Sequence, residues 1–171
     1  MPHPLYRSMA KKSKKNSKDD PNEKTVSENR KARHKYEVLD TLECGIVLHG
    51  SEVKSLRSGH VSLDESYARV KNGEVWLVGC DIQEYFEASR MNHESRRQRK
   101  LLMHRIQVQK FANQAHEKGL SLVPLKLYFK AGRAKLLLGL CKGKKLHDKR
   151  ETLKKADSKR DMQREMRRRG R

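Results

Sequence analysis

The sequence predicts a mainly β domain with one short and one longer helix. Its antiparallel strands are expected to close as an oligonucleotide-binding-type barrel, with disordered basic arms at both ends. Three observations carry this. Apolar residues alternate at period two over Tyr36–Leu48, Ser66–Ile82 and Leu122–Cys141, with Asn72-Gly73 and Ala131-Gly132 at the reversals. Helical spacing is confined to a stretch around Ser51–Ser58 and a longer one, Lys100–Gly119. Finally, the net charge of +20 is uneven: +7 over residues 1–35, +4 over 36–141 and +9 over 142–171. The excess lies where apolar patterning is absent, which divides the chain into an arm (1–28), a folded body (29–141) and a tail (142–171). Five or six antiparallel strands avoid open edges by closing, and the barrel fits that number. A flat sheet with helices on one face is the alternative.

Residues 1–28 are mostly Lys, Ser, Asp and Asn, with almost nothing to bury, so disorder is expected. Met9-Ala10-Lys11-Lys12 reads as a second possible start. Asn29–Tyr36 then brings four cations to the edge of the body, either as a solvated linker or as a phosphate clamp. In the strand that follows, Asp40 and Gly45 interrupt the two faces and predict a bend or bulge. Glu43 lies on the outer face, where it either decorates solvent or accepts hydrogen bonds from a base edge.

In Gly50–Gly59, Ser51 is a good N-cap, Glu52 suits the first turn, and Gly59 suits the position past the end. Val53 and Leu56 share one face and Lys54 and Arg57 another. The hairpin at Asn72-Gly73 follows, with Trp76 expected in the core. A polar loop over Met91–Arg99 precedes the long helix, whose apolar stripe Leu101, Leu102, Val108, Phe111, Ala112 and Ala115 is imperfect. Pro124 places its strand near a sheet edge, and Ala134, Leu136, Leu138 and Leu140 alternate in the last one. The tail is built of helix formers without a continuous apolar stripe. It reads as disordered when free and helical on a polyanion.

The charge points to a polyanionic partner, with nucleic acid ahead of acidic membrane. No apolar run approaches the ~20 residues a span needs, and no signal-peptide core is visible. Cys44, Cys80 and Cys141 are far apart, form no Cys-x-x-Cys pair and lie in apolar strand patterns. They read as core residues of a protein in a reducing cytoplasm. No catalytic constellation, metal-ligand set or cofactor loop stands out; His147-Asp148 is an isolated pair. Binding is therefore favoured over catalysis. With only 5% aromatic residues, recognition through phosphates and RNA shape is favoured over base-by-base stacking.

Four segments sharpen this: Asn29–Tyr36, Gly50–Gly59, Arg99–Arg105 and Lys142–Arg150. Together they resemble the SsrA-binding protein (small protein B) family, partners of transfer-messenger RNA. The resemblance implies a closed barrel that grips the tRNA-like domain of that RNA and delivers it to stalled ribosomes for trans-translation. The tail would lie at the decoding centre and in the empty messenger path. Residue by residue, it implies RNA contacts by Asn29, Lys31, His34, Tyr36, Glu43, Lys54, Arg57, Lys100, Leu102 and His104. It implies ribosome contacts by Lys144, Lys145, His147, Asp148, Lys149 and Arg150. It implies no enzyme activity, cofactor, metal or membrane partner, and the protein is read as monomeric when bound to RNA. Where the family commonly has an acidic residue followed by Pro, this chain has Glu94-Ser95, and Met103 stands in place of the usual Leu. A basic ribosomal or ribosome-assembly protein that binds ribosomal RNA would share the charge, the barrel and the tails.

Overall fold

Side chains alternate between core and surface along most of the strands in a computed structural model of the chain, which describes residues 23–88, 92–117, 119–145, 158 and 160–166. In chain order the elements are β1 (Glu23–Glu28), α1 (Arg30–Lys35), β2 (Tyr36–Ile46), α2 (Gly50–Arg57), β3 (Val61–Ser62), β4 (Tyr67–Lys71), β5 (Glu74–Val78) and β6 (Asp81–Ile82). A single 3-10 turn at Phe86–Ala88 leads to β7 (Arg99–Leu102), α3 (Arg105–Glu117), β8 (Ser121–Lys130) and β9 (Arg133–Gly143).

Pairing is antiparallel throughout. It runs β8–β4–β5–β7–β2–β9, and β9 pairs again with β8, so the sequence of neighbours returns to its start. The β4–β8 link is the thinnest, a single registered pair, Ala68 with Leu122. In the core, Cys44, Leu77, Leu101, Leu136 and Leu138 are buried with Leu56 of α2 and Val108 and Phe111 of α3. Both expected hairpins form: Asn72 and Gly73, like Ala131 and Gly132, all have positive φ, the conformation two-residue turns require. Register shifts between Val38 and Asp40, where a bulge was expected. Gly45 lets β7 approach closely, since a Cβ there would lie 3.2 Å from the Leu102 Cβ. All three cysteines are free and buried. No helix among the described residues is long and apolar enough to cross a membrane.

Several expectations are corrected. Residues 23–28, assigned to a disordered arm, form β1. Pairing with β8 and a Glu23–Lys126 ion pair at 3.0 Å hold it, so an apolar pattern was not needed. The body also continues past Cys141, because β9 runs to Gly143. The long helix starts at Arg105 rather than Lys100. Residues 99–102 are a strand, with Arg99 and Leu101 inward and Lys100 and Leu102 turned the other way. Pro124 is not at a sheet edge: β8 is paired on both sides, and Pro124 sits at a bulge between the β4 and β1 contacts, where a missing N–H is tolerated. Trp76 is not core either. Val75 and Leu77 point inward, so Trp76 faces out and is half-buried. Of the tail, Ser158 and 160–166 are helical; His147, Asp148, Lys149 and Arg150 lie outside the described residues.

Candidate nucleic-acid interface

The signature helix α2 begins two residues earlier than its sequence suggests. His49, not Ser51, is the N-cap, and its N–H donates to Glu52 Oε2 at 2.6 Å. Ser51 is engaged elsewhere, with its hydroxyl 2.9 Å from Nδ1 of the buried His93. Glu52 is fully buried. Arg97 donates to it through Nε (2.8 Å) and a terminal nitrogen (2.5 Å), and Arg99 through Nε (2.8 Å). Burial alone would raise the Glu52 carboxyl. The hydrogen bonds from Arg97 and from the His49 N–H, with both guanidinium charges, hold it below the usual carboxylate range.

Arg99 is itself fully buried, and its remaining donors reach the carbonyls of Cys80, Arg97 and Ser95 at 2.7–2.9 Å. Ser55 Oγ donates to Gln83 O at 2.6 Å. Half of the signature thus ties α2 to the 83–99 segment. The other half stays on the surface: Lys54 and Arg57 are exposed, and the Lys54 ammonium lies 5.5 Å from the Tyr85 ring centre.

A second group stands on the outer face of the seven-stranded sheet. Gly45 pairs with Leu102, which places Glu43, Gly45 and Leu102 on one side, with Lys100 two residues before Leu102. Leu102 is 51% exposed, unusual for a leucine on a central strand. Lys100 is ion-paired with Glu74. His104, exposed, follows at the end of the strand; its backbone N–H donates to the Gln107 side chain at 3.1 Å as the chain enters α3. Glu43 is held from three sides. The Tyr128 hydroxyl donates to it at 2.5 Å, and the ammonium groups of Lys130 and Lys135 lie at 3.5 and 3.4 Å. The Tyr128 bond, followed by those two cations, keeps its carboxyl below the ordinary value despite partial burial.

The α1 candidates lie elsewhere. Asn29 is 1% exposed. Its Oδ1 accepts the Ala32 N–H and its Nδ2 donates to Leu63 O, both at 2.8 Å. It is therefore a cap and a tether rather than a free RNA contact, a correction that follows from its position just before a helix. Lys31 pairs with Asp64 at 2.6 Å, which raises its pKa. His34 is exposed, and Tyr36 is half-buried against Ala32, Val123, Leu125 and Cys141. The start of the tail meets this helix: the Lys144 N–H donates to Lys35 O, and its ammonium to Arg33 O, both at 3.1 Å. Lys145 is exposed next to it.

The sequence pattern of the family described as SmpB protein matches residues 26–168, which take in β2 to β9 with their flanks. The chain belongs to the SsrA-binding protein (SmpB) family. Among its relatives, the SsrA-binding protein of Rhodopirellula baltica is 58% identical over 152 residues, covering 88% of this chain and 86% of that protein. The SsrA-binding protein of Mesorhizobium japonicum is 54% identical, covering 90% and 97%. A chain in a solved structure described as "tmRNA-SmpB: a journey to the center of the bacterial ribosome" is 47% identical. It superposes with a TM-score of 0.62 over 74% of this chain and 93% of that one. Family membership accounts for the signature segments. The structure adds what they do: Ser51, Glu52, Ser55 and Arg99 build the scaffold, and their neighbours Lys54, Arg57, Lys100 and Leu102 are turned outward or half-buried at the surface. Sequence reasoning missed the Glu52–Arg97–Arg99 cluster. Its only signal was an acidic residue in an otherwise basic signature helix.

Proposed function

We propose that this protein binds the tRNA-like domain of transfer-messenger RNA and brings it to ribosomes stalled without a stop codon, so that incomplete peptides are tagged in trans-translation. One observation carries the reading. The family match takes in β2 to β9, and among these strands Glu43, Lys100 and Leu102 stand on one open face. On this reading Lys54 and Arg57 contact phosphates, while Glu43, Leu102 and His104 meet the bases and sugars of a structured loop. Lys31, His34 and Tyr36, beside the start of the tail, extend the contact around α1.

The sheet acts as a closed oligonucleotide-binding-type barrel, a reading supported by β9 pairing with both β2 and β8. The tail from Lys144 onward, with Lys145, His147, Asp148, Lys149 and Arg150, follows the empty messenger path to the decoding centre. Its charge supports this: the +9 over 142–171 suits a channel of ribosomal phosphates. The activity is binding and delivery without catalysis, in a reducing cytoplasm where three buried thiols stay free.

The test is the RNA that copurifies with the protein from cells. A single transfer-messenger species is expected. Ribosomal RNA in its place would favour an assembly protein and overturn the proposal.

A further inference from the structure

Trp76 is the chain's single tryptophan, and the strand register puts it in telling company. Across β5 it pairs with Arg69 of β4 on one side and Lys100 of β7 on the other. By strand alternation Tyr67, Arg69, Trp76, Lys100 and Leu102 all face outward, because Ala68, Val75, Leu77 and Leu101 between them are core residues. Tyr67 is 48% and Leu102 51% exposed. These two apolar side chains are left open, whereas α1 is laid against the outer side of β8 and β9.

An aromatic ring flanked by an arginine and a lysine on an open sheet face suits one ligand chemistry well: an unpaired nucleobase with its phosphates. The ring offers a stacking surface to any base, and the cations reach the backbone on either side. A protein partner would need carboxylates against these cations and apolar side chains against Tyr67 and Leu102. Two observations favour RNA. Arg69, Lys71, Lys100 and Lys135 outnumber Glu43 and Glu74 on this face. The face also runs without a break into the Glu43–Lys100–Leu102 group. Arg69 bonds Gln98 at 2.8 Å and Lys100 pairs with Glu74, so both cations are held by exchangeable polar partners at the register positions that flank Trp76, ready to exchange them for phosphate oxygens.

We propose that Trp76, between Arg69 and Lys100, is a stacking platform for an unpaired base of the bound RNA, carrying the interface across β5 to β4. This rests on the RNA-binding reading above and deepens it. The single tryptophan makes the test direct. The full-length protein is titrated with a transcript of the tRNA-like domain, with binding followed by gel shift and by intrinsic fluorescence together. Emission should be quenched in step with complex formation, and acrylamide access to Trp76 should fall. Trp76→Phe should keep most of the affinity, and Trp76→Leu should lose roughly tenfold or more at an unchanged unfolding temperature. If Trp76→Leu unfolds, quenching of the unmodified protein decides. A shifted gel band with unchanged emission and unchanged acrylamide access overturns the platform, leaves RNA binding intact and hands this face to a protein partner. No gel shift at all overturns the RNA-binding reading, and the platform with it.

Discussion

The outer surface of the seven-stranded sheet has two halves built by the same alternation and finished differently. Over β8 and β9, α1 is packed down: Ala32, Val123, Leu125 and Cys141 are buried together, with Tyr36, Val38 and Leu137 against them. Over β4, β7 and the end of β2, outward apolar side chains are left open. There Tyr67, Leu102 and Val47 are 48%, 51% and 43% exposed. Apolar side chains pointing away from the core are thus present on both halves. On one they complete the fold; on the other they remain available to a partner. The difference lies in what surrounds them. The covered half is closed by Asn29, which caps α1 and bonds Leu63 O, so its polar groups are satisfied internally. The bare half is edged by cations, the arrangement that suits a phosphate backbone.

The most damaging way to break the bare half is to remove the buried anchor that joins α2 to β7. Glu52→Ala leaves the fully buried Arg99 without its carboxylate, and an uncompensated buried charge costs about 3–5 kcal/mol. Urea unfolding should show a loss of that size, with α2 and the 92–99 segment loosened together. A change below about 1 kcal/mol would mean that the three carbonyls around Arg99 suffice to hold it. Next, Asn29→Ala attacks the covered half alone. A lost cap and a lost buried bond should lower stability by about 1–3 kcal/mol while affinity for RNA stays nearly constant. Leu102→Ala is the mirror image on the bare half. With half its surface already in water, it should change stability by no more than about 0.5 kcal/mol, yet weaken RNA binding severalfold. Equal losses of stability in Asn29→Ala and Leu102→Ala would erase the distinction between the halves.

Most strands of both halves were legible in the sequence, but their cover was not. α1 falls in a stretch that read only as a linker or a phosphate clamp, so a second short helix is a correction, and the reason is physical. Alternation in Tyr36–Leu48 and Arg133–Cys141 gives strands, and Asn-Gly gives a hairpin, because these signals are local. Which outward face receives a helix is decided by tertiary packing, so Trp76 read as core when it is half-buried on the open side. The strand at residues 99–102 was hidden for a related reason. One of its two inward residues is an arginine, held by Glu52, 47 residues earlier, and by three backbone carbonyls. Periodicity cannot see a pair that long-range contact creates. β1 was missed because an edge strand held by backbone bonds needs no apolar rhythm. Of the candidate site, Lys54, Arg57, His34 and His104 are exposed as expected. Asn29 is the exception, and its place before a helix was the available warning.

The smallest effect concerns Glu43, which stands at the border of the bare half and is held by Tyr128, Lys130 and Lys135. Its carboxyl is held below the usual range first by the Tyr128 hydroxyl and then by Lys130 and Lys135. A depressed folded pKa means stability that is present above the unfolded value, near 4.5, and lost as pH falls through the folded value. The side chain is 37% exposed, so solvent screening keeps the contribution to a few tenths of a kcal/mol. Glu43→Gln should therefore leave stability at pH 7 almost unchanged and flatten part of its decline below pH 4.5. Tyr128→Phe removes the bond that aims the carboxylate but leaves its charge. If Glu43 meets RNA, Glu43→Gln should weaken binding more than Tyr128→Phe, because the first removes the acceptor charge and the second only its alignment. If the group serves the fold alone, both variants should bind RNA as the unmodified protein does and differ only in their acid unfolding curves.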